Sequence, residues 1–156
     1  MYDVRTVRYD PNLTLRAARQ LYFDANGFKD GGYAEKWVKL KAGPFTFGFP
    51  NIEARVRSVK LHDLHHVLTE YDTTWRGEAE IGAWELASGC ADHWPAWVLN
   101  LGAVSIGVLL CPRLTWRAWQ RGRRSRNLYR ETFDEALLEK TVGELRARMI
   151  PPPDAV

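Results

Sequence analysis

Three of the four histidines in this 156-residue chain lie within five consecutive positions, at His62, His65 and His66. On a helix, His62 and His66 would lie one turn apart on the same face, so both imidazoles could point at one atom. Paired histidines at this spacing are typical ligands of a divalent metal ion. Asp63 lies between them, rotated but adjacent, as a further ligand or as a base for metal-bound water. The spacing therefore predicts a metal site on this helix.

A carboxylate twelve residues beyond His66 completes the predicted site. A short turn over residues 70–74 would fold the next helix back and bring Glu78 near the histidine pair. Imidazoles with carboxylates suit zinc and also iron or manganese, with positions left open for water or substrate. We therefore predict one divalent metal ion, zinc first, held by His62, Asp63, His66 and Glu78. Asp63 and His62 are also the predicted catalytic residues.

Two neighbours of these residues could support the ligands. His65 could be a ligand itself, a hydrogen-bonding partner of a ligand or a solvated side chain. Glu85 lies two turns after Glu78 on a similar face, where it could complete the site or remain an exposed carboxylate. The alternative for the whole set is a surface helix that happens to carry a polar face. His93, near the start of a later helix, is interpreted as structural.

The elements that must position these residues are predicted to be helices. Apolar spacing and capping signals place them at about residues 14–26, 33–40, 51–68, 72–87, 94–110, 113–129 and 132–149. Asn51 and the run Asp72-Thr73-Thr74 are predicted N-caps, and Thr132 to Glu135 has the capping-box spacing. Without convincing strand alternation, we predict an all-α single-domain bundle of six or seven helices over residues 1–150. A proline-rich tail, residues 151–156, follows it.

The aromatic segment Gly43–Pro50 cannot be the interior of a helix, because it begins with Gly-Pro and ends with proline. Its three phenylalanines, at positions 45, 47 and 49, suggest a lid over something apolar, or else a plug in the core.

Residues 94–112 carry no charge, and Trp94, Trp97, Trp116 and Trp119 flank this stretch. It could be interpreted as a membrane span with aromatic belts. Prolines, glycines and polar residues interrupt it, so we predict instead a helix largely buried in the bundle. Gly102 and Gly107 would leave room for neighbouring helices or for an isoprenoid tail.

Positive charge is concentrated immediately after this stretch. Seven arginines fall in residues 113–130 and no acidic residue lies between Asp92 and Glu131, so with a net charge of +3 the rest of the chain carries −4. Helical spacing puts four arginines on one face, where they could meet anionic membrane headgroups or a diphosphate or carboxylate group. We disfavour nucleic acid because no nucleic-acid-binding motif is present. A merely solvated face, or a contact between two copies of the chain, is the alternative. The four are Arg113, Arg117, Arg121 and Arg124.

Several classes of protein are disfavoured by composition and by the first residues of the chain. The segment Met1 to Arg5 has no apolar run behind its charges, so no secretory signal is predicted. Cys90 and Cys111 have no metal-type or redox-type spacing, which favours two buried thiols in a cytoplasmic protein.

One part of the sequence resembles the H-D-x-x-H-x11-E signature of the ubiquinone (coenzyme Q) biosynthesis protein 4 family. It consists of His62-Asp63-Leu64-His65-His66, eleven further residues and then Glu78. Three further segments are similar to that family, and the resemblance covers about residues 10–150. They are Val67-Leu68-Thr69, Gly77 to Glu80 and Trp116 to Arg124. Glu70 departs from it, because glycine is expected there. The shorter chain and the lack of a leader suggest a bacterial relative.

The resemblance implies an all-helical, membrane-associated protein that binds a divalent metal, often taken as zinc, through His62, Asp63, His66 and Glu78. It implies oxidative removal of the ring carboxylate from a polyprenylated hydroxybenzoate, on the inner face of a membrane and with other quinone-biosynthesis proteins as possible partners. The alternative is a non-catalytic prenyl-lipid-binding scaffold. A small zinc hydrolase is a minor alternative, since zinc proteases carry glutamate rather than aspartate after the first histidine.

Overall fold

A computed structural model describes residues 8–42 and 45–150. Within that part of the chain, seven helices and one β-hairpin form a mostly helical domain, which confirms the predicted all-α class. The helices are α1 Leu15–Asn26, α2 Glu53–Thr69, α3 Trp75–Ser88, α4 Trp94–Leu110, α5 Pro112–Arg123, α6 Glu135–Leu138 and α7 Val142–Met149. The strands are β1 Trp37–Ala42 and β2 Phe45–Pro50.

Helix α2 runs through the core, and every residue from Asp63 to Thr69 is buried. Its neighbours α1 and α7 supply apolar side chains, because each presents them at helical spacing toward α2. Both cysteines are free; Cys90 is buried and Cys111 is half-buried. The largest core side chains include Leu15, Tyr22, Phe23, Leu61, Leu64, Leu68, Leu128, Tyr129, Leu138 and Leu145.

Helix α3 packs closely against α4 and α5, and small residues permit the approach. A Cβ atom added at Gly122 of α5 would collide with the carbonyl oxygen of Trp84 and lie 2.8 Å from the Cβ atom of Ala87. A Cβ atom at Gly107 of α4 would lie 2.5 Å from that of Ala79. Gly107 thus leaves room for a neighbouring helix, as predicted. At Gly102 nothing lies within 4 Å of an added Cβ atom, so no described helix packs closely there, and room for an isoprenoid tail stays a prediction.

The predicted short helix at residues 33–40 is wrong. Residues 37–42 form β1, which pairs with β2 as an antiparallel hairpin in the register Trp37 with Pro50 and Ala42 with Phe45. Residues 43 and 44 and the side chains at 45, 47 and 49 lie outside the described part, so the predicted lid is not tested.

Several helix ends differ from the predictions. Thr74 caps α3 through its side chain, as expected for the run Asp72-Thr73-Thr74, and Gly89 ends that helix. Thr14 caps α1 in the same way, which was not predicted. Asn51 does not cap α2, because Ile52 is the N-cap residue and the Asn51 amide donates instead to the carbonyl of Glu35.

The predicted final helix is divided in two. Asp134, not Thr132, caps α6, because its carboxylate accepts from the backbone N–H of Leu137. Thr141 then caps a separate α7. Helix α5 ends at Arg123, six residues before the predicted end.

Helix α4 occupies the predicted residues but is not buried in the bundle, and that expectation is wrong. Only Pro95, Ala96, Asn100 and Gly107 are buried along it. None of the described helices is long and apolar enough to cross a bilayer. We call its solvent-facing side, extended by one α5 residue, the apolar face: Trp94, Trp97, Val98, Leu99, Leu101, Ile106, Val108, Leu109, Leu110 and Trp116.

The arginine face is divided by the structure. Arg113 and Arg117 of α5 and Arg124 directly after it are exposed. Arg121 is half-buried instead, because its guanidinium donates to the carbonyl of Thr69 at 3.1 Å and lies 5.2 Å from the ring centroid of Tyr71. Arg121 therefore ties α5 to the end of α2.

Candidate metal centre

The structure brings His62, His66 and Glu78 together at the junction of α2 and α3. Each offers one ligand atom, and these atoms lie within 4.8 Å of one another. The two Nε2 atoms are 3.1 Å apart, and oxygens of Glu78 lie 3.5 Å from Nε2 of His62 and 3.4 Å from Nε2 of His66. Ligand atoms around one zinc ion typically lie about 3.3 Å apart, since each bond is about 2.0–2.1 Å. The group could therefore hold a metal ion.

The turn between the helices brings Glu78 to the histidines. Thr74 is the N-cap of α3, and Glu78 lies in the first turn of that helix. A Cβ atom at Gly77 would collide with the carbonyl oxygen of Asp72, so the turn can close only against a glycine. The left-handed residue Glu70, with φ of 62°, ends α2. The short turn predicted over residues 70–74 is thereby confirmed.

The hydrogen bonds of the two histidines direct their lone pairs at each other. Nδ1 of His66 lies 2.9 Å from the carbonyl oxygen of Tyr71, which can only accept, so this nitrogen carries a hydrogen. Nδ1 of His62 likewise donates to a carboxylate oxygen of Glu85 at 2.9 Å. In the neutral imidazoles both Nε2 atoms are then acceptors. Two acceptors and a carboxylate facing one point require a positive species there, a proton or a metal ion.

Glu85 lies behind the ligands and is completely buried, so the alternative of an exposed carboxylate is wrong. Its Oε1 accepts from Nδ1 of His62 and, at 2.6 Å, from Nδ1 of His65. Its Oε2 accepts from the amide of Asn100 at 2.5 Å and from the hydroxyl of Tyr129 at 2.7 Å. Four donors thus surround one carboxylate.

His65 is not solvated and cannot be a metal ligand in this arrangement. It is fully buried, and its Nε2 accepts from the backbone N–H of Leu128 at 2.9 Å. Its Nδ1 donates to Glu85, so both ring nitrogens are engaged. His65 therefore supports the site through Glu85. His93 is buried at the start of α4, with Nδ1 3.1 Å from the hydroxyl of Ser58.

The pKa values of these groups reflect burial opposed by close opposite charge. Burial lowers the pKa of the His62 imidazole, but Glu85 and Glu78 outweigh it and hold that pKa well above its usual value. Burial raises the pKa of Glu85, but contacts with His62 and His65 hold it well below its usual range. The same balance, with His62 and His66 as the partners, lowers the pKa of Glu78. Both carboxylates are therefore charged at neutral pH.

Asp63 lies outside the convergent group. Its buried carboxylate accepts a hydrogen bond of 2.5 Å from the hydroxyl of Tyr33, in the segment before β1. Burial raises the pKa of Asp63, while the Tyr33 hydrogen bond opposes that rise. A role for Asp63 as a ligand or a base stays a prediction.

Four residues of this centre were not found from the sequence: Tyr22, Tyr71, Asn100 and Tyr129. Tyr22 stacks on the His66 ring with the centroids 5.3 Å apart. Tyr71 acts through its carbonyl group, which no side-chain pattern indicates. Asn100 did leave a signal, because it is the only amide within an otherwise apolar helix, and such residues are usually hydrogen-bonded when buried.

Comparison with protein-family models, with curated proteins and with solved structures found no match to this chain.

Proposed function

We propose that this protein binds one divalent metal ion, zinc in the first instance, through His62, His66 and Glu78. The convergence of these three side chains carries the proposal, because their lone pairs and charges face one point. Glu78 and His62 are partly exposed, with 35% and 21% of their side chains accessible, so solvent or a substrate can reach this point. Iron and manganese have suitable ligand chemistry as well.

We further propose that the centre acts on the ring of a polyprenylated hydroxybenzoate, in quinone biosynthesis. The H-D-x-x-H-x11-E spacing supports this proposal. A bound metal would act as a Lewis acid toward the substrate's carboxylate or phenolate. Glu78 and His62 would orient that group at the open side of the site, and Asp63 would exchange a proton with it. The ring carboxylate would leave as carbon dioxide while dioxygen, with two electrons from a reductant, supplies a hydroxyl oxygen to the same carbon and releases water.

The apolar face and the exposed arginines Arg113, Arg117 and Arg124 support a location at the surface of an anionic membrane. Aromatic and aliphatic side chains on one side of a helix can enter the headgroup region, while arginines pair with lipid phosphates. A polyprenylated substrate would be reached from that surface. This location on the cytoplasmic side is part of the proposal.

Metal binding is tested first. Protein purified without chelators is analysed for metal content, and the affinity for zinc is measured by competition with a chromophoric chelator. We expect one equivalent per chain, lost in His62→Ala and in Glu78→Ala while helicity by circular dichroism stays unchanged. Glu80→Ala, on the same helix, is the control. Full metal content in both ligand variants would contradict the site.

Turnover separates the enzyme from a scaffold. Metal-loaded protein receives a prenylated hydroxybenzoate, dioxygen and a reductant, and carbon dioxide and the hydroxylated ring are measured. We expect turnover that Asp63→Asn lowers by about 100-fold or more, the usual contribution of a general acid or base, without loss of metal. No turnover, with prenyl lipid recovered from the purified protein by extraction, would favour the non-catalytic scaffold.

A further inference from the structure

We infer that Glu85 is the positioning residue of the metal centre, which orients His62 for the metal and is itself held by Asn100 and Tyr129. This inference rests on the proposed metal site. The hydrogen bond from Nδ1 of His62 to Glu85 fixes the tautomer that leaves Nε2 free to bind. A carboxylate behind a metal-binding histidine also makes that histidine a stronger ligand.

Burial makes this role electrostatic as well as geometric. A fully buried carboxylate is strongly destabilising unless it is hydrogen-bonded and its charge is balanced. His65 contributes a hydrogen bond but no positive charge while its Nε2 accepts from the backbone of Leu128. His62 is the candidate metal ligand in contact with this carboxylate, since its Nδ1 atom lies 2.9 Å from Oε1 of Glu85. Glu85 thus favours a cation at the convergent point.

Asn100 and Tyr129 keep the Glu85 carboxylate in place from two different elements. Asn100 comes from α4 and is 5% exposed, and Tyr129, from the segment after α5, is 2% exposed. Both donate to Oε2, which leaves Oε1 directed at the two histidines. The carboxylate consequently cannot rotate away from His62 without losing two buried hydrogen bonds. Helix α4 therefore contributes to the centre through Asn100 although it supplies no ligand.

The test is Glu85→Gln, which keeps the size and one acceptor oxygen but removes the charge. We expect its zinc affinity to fall about 10–100-fold, the usual effect of losing such a partner. The control Glu80→Gln, on the same helix and outside this cluster, should stay within about twofold of the wild type. In wild-type protein loaded with zinc, ¹⁵N NMR should show the Nδ1-protonated tautomer for His62, and this signal should change in Glu85→Gln. A merely structural residue would not alter it.

Tyr129→Phe provides a second variant in case Glu85→Gln does not fold. Removing one donor to Oε2 should weaken zinc binding by several-fold while leaving His62 and Glu85 in contact. Wild-type affinity in both variants, with an unchanged His62 tautomer in Glu85→Gln, would overturn the inference, even though loss of binding in His62→Ala would still support the metal site. Absence of zinc binding by the wild type would overturn both the metal site and the role of Glu85, so the experiment distinguishes failure of the role from failure of the site.

Discussion

At the scale of single residues, the centre depends on which nitrogen of each histidine carries its hydrogen. His62 and His66 are neighbours on one helical face, but their Nδ1 partners are different: the Glu85 carboxylate for one and the Tyr71 carbonyl for the other. Each partner leaves Nε2 as the ligand atom. His65 lies on the same side of α2 and is excluded, because both of its nitrogens are already engaged.

Glu70 is a second residue whose role depends on backbone geometry. It ends α2 in the left-handed conformation, which explains why glycine was expected at this position. Its carboxylate accepts from Arg146 at 2.8 Å and from the backbone N–H of Tyr9 at 3.3 Å. These contacts offset the strain of a non-glycine residue there.

We predict that Glu70→Gly is more stable than Glu70→Ala by about 1 kcal/mol, because both lose the carboxylate but only alanine keeps the left-handed strain. Urea denaturation measures the difference. At Glu80, within α3, the order should reverse, because glycine is about 0.5–1 kcal/mol less stable than alanine inside a helix. The same order at both positions would contradict this account.

At the scale of elements, α3 connects the centre to the rest of the fold. One helix carries Glu78 and Glu85, and it packs against both α4 and α5. The close approach of α5 depends on Gly122, whereas Gly102 of α4 is open to solvent. A methyl group added at Gly122 would therefore clash with α3, whereas one added at Gly102 would meet nothing.

Gly122→Ala should destabilise the fold by about 1–3 kcal/mol, because the added methyl group would overlap the backbone of α3. Gly102→Ala should be neutral or stabilising by up to about 1 kcal/mol, because alanine favours helix and nothing obstructs it. Denaturation curves compare the two variants with the wild type. Equal effects at both positions would contradict the packing described for α3 and α5.

The apolar face and the exposed arginines Arg113, Arg117 and Arg124 are the basis of the proposed membrane association. Each exposed arginine near an anionic surface contributes about 1 kcal/mol, so Arg113→Gln, Arg117→Gln and Arg124→Gln together should weaken binding about 100-fold. Sedimentation with phosphatidylglycerol-containing vesicles measures this, with Arg148→Gln, on α7, as the control. Equal binding to neutral vesicles would contradict the role of charge. Self-association in solution without vesicle binding would identify the face as a contact between copies.

At the scale of the whole molecule, the centre joins segments far apart in the chain. The three candidate ligands come from α2 and α3, and the residues that hold Glu85 come from α4 and from the segment before α6. A metal ion bound at this junction would stabilise the folded chain, because the ligands converge only there.

We predict that zinc at a hundredfold excess over its dissociation constant stabilises the wild type by about 2.7 kcal/mol. For a chain of this length that corresponds to a rise in Tm of roughly 5–10 °C. Thermal unfolding followed by circular dichroism should show the shift in wild type and in His93→Ala, and not in His62→Ala. A shift of the same size in His62→Ala would indicate that zinc binds elsewhere.

Most of the helices could be predicted from the sequence, and so could the convergence of His62, His66 and Glu78, a group that could hold a metal ion. The spacing of His62 and His66 is a property of one helix, and the short turn restricts Glu78 to positions near that helix. The bounds of α4 could also be predicted from nearby sequence, since Pro112 and the preceding apolar run define them. The hairpin was missed although Val38, Leu40 and Ala42 alternate with lysines, because the alternation is short and adjoins a Gly-Pro pair.

Which side chains are buried, and by what, became visible only in the packed fold. Helix α4 is apolar on all sides, so periodicity could not indicate that most of it faces solvent. The burial of Glu85, the inward direction of His65 and the contact of Asp63 with Tyr33 depend on elements distant in sequence. Asn100 and Tyr129 meet Glu85 for the same reason. Local spacing indicates which side chains share a helix face, whereas burial and hydrogen-bond partners depend on how the helices pack.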